Sequence, residues 1–244
     1  MSPKKKHDSV VAICLQEPNE DGSSMAFGLI RGDDLSALHE AFILDTVGNT
    51  LGVDGIDVRL YHNDQAEQRR AAKKAVEVAA GKAKGDNAKL TIHEQARDRW
   101  GVRINAVFRD CFDAGYKHVL VIGSRTPTIT SPMMTTALRM LRESDAVFGP
   151  TPEGRYYVIG MSDSPQINLS DFDWKSAHIY SDVAHAFTKA KLSWSELEIW
   201  YVVESADDIE IMARDINQYR FEGDDDTARH TEEIMERLIA KLEP

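Results

Sequence analysis

A mostly parallel, doubly wound α/β sheet with helices on both faces follows from three observations. Short β-branched runs alternate with stretches of helical periodicity along the chain. Gly and Pro stand at the ends of those runs, as in "HVLVIGSRTPTIT" (His118 to Thr130). No internal repeat of roughly 20–50 residues offers a different architecture. With 244 residues, the chain suffices for one large domain that buries roughly 70–75% of its unfolded surface.

The first strand is "VVAICL" (Val10 to Leu15), and "DDLSALHEAFILDTV" is its helix, with Leu35, Leu38, Ala41, Phe42 and Asp45 at helical spacings behind a capping Asp33 or Asp34. "IDVRLY" (Ile56 to Tyr61) is the second strand. The basic, Ala-rich segment Arg69 to Lys89 supplies a solvated helix and a Gly-containing loop, and "KLTIHEQ" a short third strand. A helix with Ile104, Val107, Phe108 and Phe112 on one face leads to "HVLVI", then a helix through Met140, then the strand "DAVFGP". "RYYVIGM" (Arg155 to Met161) and "LEIWYVVE" (Leu197 to Glu204) are further strands, separated by a helix from Lys175 to Lys189. Two helices close the chain, the last preceded by the acidic "EGDDDT" (Glu222 to Thr227), which suits a helix N-terminus.

The composition narrows the function classes. Hydrophobic residues are 42% and charged residues 28%, ordinary for a soluble domain, and no run reaches the 18 or so apolar residues of a membrane span. The start lacks a signal-peptide core, so a cytoplasmic location is expected. Residues 1–8 read as a flexible tail and 9–244 as a single domain. Two cysteines, Cys14 in a strand and Cys111 in a helix, suit buried free thiols. A net charge of −11 argues against a nucleic-acid partner.

Ligands of open α/β sheets sit at the carboxyl ends of the strands. There, in "GSRTPTIT" (Gly123 to Thr130), an arginine, Arg125, stands where a nucleotide-handling loop often carries an acid. Tyr156, Tyr157 and Trp174 are aromatic candidates near that edge, and Tyr156 is the one expected to face a base or sugar. His39 and His178 have no metal-ligand spacing.

Four stretches taken in order resemble a bacterial family of GT-A-like nucleotide-sugar transferases, a domain-of-unknown-function family linked with arsenosugar biosynthesis. The family loop GSDSPTLP is similar to "GSRTPTIT", matching Gly123, Ser124, Pro127 and Thr128, with Arg125 in place of Asp. GPAEDGGYYLIG is similar to "GPTPEGRYYVIG", matching Gly149, Pro150, Gly154, Tyr156, Tyr157, Ile159 and Gly160, with Glu153 for Asp and Arg155 for Gly. The family's W-S-T corresponds to Trp174-Lys175-Ser176, and DVDTPEDL to "VVESADDI", where the two acids become Val202 and Glu204. Upstream, Arg99 to Ile104 and His39 to Val47 resemble family segments as well. The basic first loop K-x-P-x-x-G-x-x-K-T-R-L is replaced by "QEPNEDGSSMAFGL" (Gln16 to Leu29).

The resemblance implies a GT-A-like fold, a nucleotide or nucleotide-sugar ligand and a divalent metal, Mg²⁺ or Mn²⁺, that neutralises the leaving diphosphate. Arg125 opposes a metal at its position, yet a guanidinium binds phosphate directly and does part of the metal's electrostatic work. Gly123, Ser124, Arg125, Gly154, Arg155 and Tyr156 are thus the expected ligand-binding residues, with no metal ligands assigned. Glu153 and Glu204 are the expected catalytic acids, as general base or residual metal ligand; Glu204 also reads as a cap before "SADDI". Loss of the basic loop and of the acids leaves a second reading open, a non-catalytic relative serving as a binding or scaffolding protein.

Overall fold

A computed structural model describes residues 7–16, 30–82, 90–95, 98–162 and 167–242. Strand β1 (Ser9–Cys14) is buried along its whole length and sends alternate residues into two apolar layers. Val11 and Ile13 join a cluster that includes Ile43, Ala72 and Met134, while Val10, Ala12 and Cys14 join Ile104, Phe108 and Phe187. The first layer is covered by α1 (Gly32–Leu51), α2 (Ala66–Lys82) and α4 (Ser131–Leu141), the second by α3 (Trp100–Asp113) and α5 (Ile179–Lys189). Burying one such side chain contributes about 1.5–3 kcal/mol, so a strand apolar on both faces is stable only between two helical layers.

The remaining strands are β2 (Ile56–His62), β3 (Leu90–Glu94), β4 (His118–Gly123), β5 (Ala146–Pro150), β6 (Tyr156–Ser162) and β7 (Trp194–Glu196). They form one seven-stranded sheet in the order β3-β2-β1-β4-β6-β5-β7. All neighbours pair in parallel except β6, which runs antiparallel to both β4 and β5. The β5–β6 hairpin therefore turns at the carboxyl edge of the sheet, where β1 and β4 also end.

Helices α6 (Ala206–Phe221) and α7 (Arg229–Leu242) pack on α1, with Met212 and Ile216 of α6, Ala228 just before α7, and Ile234 and Met235 of α7 in one cluster with Leu38 and Phe42. Asp45 of α1 is buried, and its carboxylate accepts from the backbone N–H groups of His230 (3.0 Å) and Thr231 (2.7 Å) and from the His230 ring (2.7 Å). An acid from one helix thus caps the N-terminus of another. Cys14 and Cys111 are buried, and neither is in a disulfide among the described residues. No helix among the described residues is long and apolar enough to cross a membrane.

Three expectations need correction. Helix α1 starts at Gly32 with Arg31 at the cap position, so Asp33 and Asp34 lie in its first turn and act on the helix dipole instead of capping it. The α5 helix begins at Ile179, four residues later than its periodicity suggests, because Asp173 to His178 form turns held by Ser176 N–H to Asp173 O at 3.0 Å. The run Leu197 to Glu204 is not a strand. Its N–H groups go to two elements: Leu197 to Phe148 (2.9 Å) and Trp200 to Pro150 (3.1 Å) of β5, then Val203 to Arg125 (2.9 Å) in the loop after β4. It follows the end of β5 and then crosses the carboxyl edge of the sheet to the loop after β4.

Candidate functional site

The loop after β4 is fastened from three directions. The Asn49 side-chain amide on α1 donates to the carbonyls of Pro127 and Ile129, both at 2.9 Å. Thr128 donates through Oγ1 to the Tyr201 hydroxyl at 2.9 Å, and its carbonyl accepts from the Tyr219 hydroxyl at 3.1 Å. Thr126 closes the turn on the Gly123 carbonyl at 3.0 Å. These bonds fix where Arg125 stands.

Arg125 is 1% exposed, and its Nη1 lies 3.4 Å from Oε1 of Glu204; the other Glu204 oxygen lies 3.3 Å from Nη1 of Arg155, whose side chain is 45% exposed. One carboxylate therefore bridges a buried and an exposed guanidinium. The crossing segment delivers Glu204 to this place, and Ser205 and Asp208 fix its backbone in a capping box: Asp208 Oδ2 accepts from the N–H of Glu204 (2.9 Å) and of Ser205 (2.7 Å). Ser205, not Glu204, is the cap of α6.

Arg155 and Glu153 come from the β5–β6 turn, which is closed by Thr151 N–H to Arg155 O (2.9 Å) and Gly154 N–H to Thr151 O (3.0 Å). Gly154 has φ +75°, and a Cβ there would stand 2.7 Å from the Ala177 carbonyl, so both conformation and space require glycine. Glu153 is exposed at the turn's tip.

These elements surround a cavity of about 950 Å³ at the carboxyl edge. Gly123, Glu153, Arg155, Tyr156 and Glu204 line it, while Ser124, Arg125 and Gly154 lie behind the wall. Ser124 is fully buried, its Oγ accepting from Gln16 N–H at 3.1 Å, which ties the end of β1 to the end of β4. Tyr156 donates its hydroxyl to the Tyr180 carbonyl at 2.9 Å and packs among Phe148, Trp174 and Tyr180. Burial raises its pKa, so it offers the cavity an aromatic ring and no acid. Tyr157 also reaches the wall, and its hydroxyl donates to Glu198 O at 3.0 Å.

Arg99, Trp100 and Gly101 at the start of α3 and Asp171 to Lys175 also line the cavity, Trp174 adjoining Tyr156. Trp174 lies directly on Gly101, where a Cβ would be 2.2 Å from its Nε1, and donates to the Leu169 carbonyl at 2.8 Å. Motif matching brings out Trp174 and the stretch Arg99 to Ile104 but not their contact, and it passes over Arg99 and Lys175 as cations of the wall. Gly beside Trp at a helix start is the one local signal of that packing.

His39 of α1 is buried near Arg125, and among the described residues its Nε2 has no hydrogen-bond partner. Burial, helped by the Arg125 charge, lowers its pKa to about 3, so the ring is neutral at ordinary pH. His178 stands at the start of α5.

Among the described residues no three His, Cys, Asp or Glu side chains come together to hold a metal ion. Glu204 is already shared by two guanidinium groups, and a divalent cation beside them would meet their charge. The described residues do not fit the Mg²⁺ or Mn²⁺ that the motif resemblance implies. The basic-loop comparison falls mainly on residues 17–29, which lie outside the described residues.

A crystal structure from Desulfovibrio desulfuricans G20, of a proposed nucleotide-diphospho-sugar transferase, is similar over 96% of each chain, at 19% identity and a TM-score of 0.76. The CMP:2-keto-3-deoxy-manno-octonic acid synthetase complexed with CTP matches 86% of this chain and 99% of its own, at 14% identity and a TM-score of 0.52. A cytidylyltransferase from Leptospira borgpetersenii serovar Hardjo-bovis (strain JB197) matches 91% and 97%, at 10% identity and a TM-score of 0.51. These likenesses show the fold alone, a single α/β domain like those of the three proteins. No curated protein matches the chain. The profile of the family described as "Uncharacterized protein conserved in bacteria (DUF2064)" matches residues 46–176, more than half of the chain, and the chain belongs to that family.

Proposed function

We propose that the chain binds a nucleotide or nucleotide-sugar in the carboxyl-edge cavity without a divalent metal, residues 9–244 acting as one GT-A-like domain. The observation that carries this is the placement of Arg155, a half-exposed guanidinium, on the wall of a 950 Å³ cavity between Glu153 and Glu204. A guanidinium offers paired N–H donors to phosphate oxygens and keeps its charge at any working pH. Arg99 and Lys175 add positive charge to the lining, beside the carboxylates of Asp171, Asp173 and Asp208. The ring faces of Tyr156 and Trp174 suit a base or a sugar.

Catalysis in this reading is sugar transfer. An acceptor oxygen forms a bond to the anomeric carbon as the bond from that carbon to the diphosphate breaks. Glu153 takes the acceptor proton, and the charge left on the nucleoside diphosphate is stabilised by Arg155. Glu204 is engaged by Arg125 and does not take the proton. Sharing of Glu204 between two arginines equally suits a relative that binds the ligand and performs no transfer, the second reading. A cytoplasmic location belongs to the proposal, and buried free thiols suit it.

Thermal unfolding against UDP, GDP, ADP, CDP and their sugar conjugates, each with Mn²⁺ and with EDTA, tests the proposal. A ligand at a hundred times its Kd adds about 2.7 kcal/mol. A shift retained in EDTA supports it, and a shift that needs Mn²⁺ refutes it. Retained binding with no product from any sugar conjugate selects the non-catalytic reading.

A further inference from the structure

We propose that Glu204 is an internal anion that competes with the ligand's phosphate for Arg155, so that the cavity admits polyanionic phosphates and rejects single carboxylates or halides. This rests on the reading that the cavity takes a phosphate-bearing ligand.

The two ends of the Glu204 bridge differ in freedom. Arg125 is 1% exposed, on a loop whose carbonyl accepts from Val203 N–H at 2.9 Å, while Arg155 is 45% exposed on the cavity wall. Glu204 itself is held through its backbone by Asp208. Arg155 has a backbone fixed by Thr151, whose Oγ1 accepts from its N–H at 3.2 Å, so its side chain is the mobile partner.

The contacts are also loose. Arg125 Nη1 and Arg155 Nη1 stand 3.4 and 3.3 Å from the Glu204 oxygens, longer than the roughly 2.7–2.9 Å of a tight charge-assisted bond. A carboxylate placed against a cavity-lining guanidinium occupies the position that a ligand anion would take. A diphosphate brings more charge and more acceptor oxygens than one carboxylate, and so draws Arg155 away from Glu204. A singly charged anion gains nothing by the exchange. Arg125 keeps Glu204 behind when Arg155 leaves, and is in this sense a positioning residue.

Calorimetric titration of inorganic pyrophosphate in EDTA tests the competition in four proteins: the natural chain, Glu204→Gln, Arg155→Ala and the double variant. Glu204→Gln should bind pyrophosphate up to about fivefold more tightly, Arg155→Ala should bind it more weakly than the natural chain, and the double variant should show none of the gain. Circular dichroism checks the fold, and Glu204→Asp, one methylene shorter, should shift affinity the same way if the glutamine variant does not fold. Equal or weaker binding by Glu204→Gln, or a gain that persists without Arg155, overturns the competition while leaving the anion site standing. Absence of binding in all four overturns both.

Discussion

Arg125 and Glu204 stand 79 residues apart in the chain and meet 3.4 Å apart because the segment from Leu197 to Ser205 crosses the ends of β5 and β4. Removing the carboxylate leaves a buried guanidinium with less compensation. Glu204→Ala should therefore cost about 1–3 kcal/mol in urea unfolding. Arg155→Ala removes only the exposed end and should cost under about 1 kcal/mol. Equal costs would place Arg125 outside the influence of Glu204.

The cavity wall at α3 depends on Gly101. A Cβ there would meet Trp174 Nε1 at 2.2 Å and the Leu169 carbonyl at 2.6 Å. Gly101→Ala should push the indole off its carbonyl, destabilise the protein by about 1–3 kcal/mol and alter the tryptophan emission spectrum. An unchanged spectrum would contradict the packing described.

Helix α7 is held by Asp45, whose carboxylate accepts from two backbone N–H groups and one ring nitrogen. Asp45→Ala should cost about 2–3 kcal/mol, and hydrogen exchange should show faster opening of α7 and α6 than of the central strands β1 and β4.

Buried His39 sets a pH dependence. Its pKa is lowered to about 3 in the folded chain and is near 6.5 when unfolded. Between these values the unfolded chain binds the additional proton, so stability rises with pH. The contribution is complete above about pH 6.5 and is lost as pH falls toward 3. His39→Phe should unfold with a flatter pH dependence across that window, and parallel profiles of the two proteins would contradict the burial of a neutral ring.

Much of this architecture is legible along the chain, and the exceptions share a cause. The alternation in "VVAIC" reads directly as a strand apolar on both faces, and Ser205 with Asp208 reads as a helix start. "LEIWYVVE" carries the same β-branched and aromatic signal as a strand, but its N–H groups turn from β5 (Phe148 and Pro150) to the loop after β4 (Arg125), which no local pattern encodes. Asp45 is similar. On a helical wheel it is an acid on a buried face, and only the docking of α7, 185 residues later, explains it. At the site, the loop motifs point to Glu153, Arg155 and Glu204, whereas the burial of Arg125 behind Glu204 depends on how the crossing segment folds over the sheet.

The location of a bound phosphate tests the central claim most directly. A crystal structure grown in EDTA with the nucleoside diphosphate that gives the largest thermal shift should show the diphosphate in the carboxyl-edge cavity, with Arg155 turned from Glu204 toward it and no metal between them. Diphosphate bound elsewhere on the chain, or bound in the cavity only when Mn²⁺ is supplied, would contradict the account.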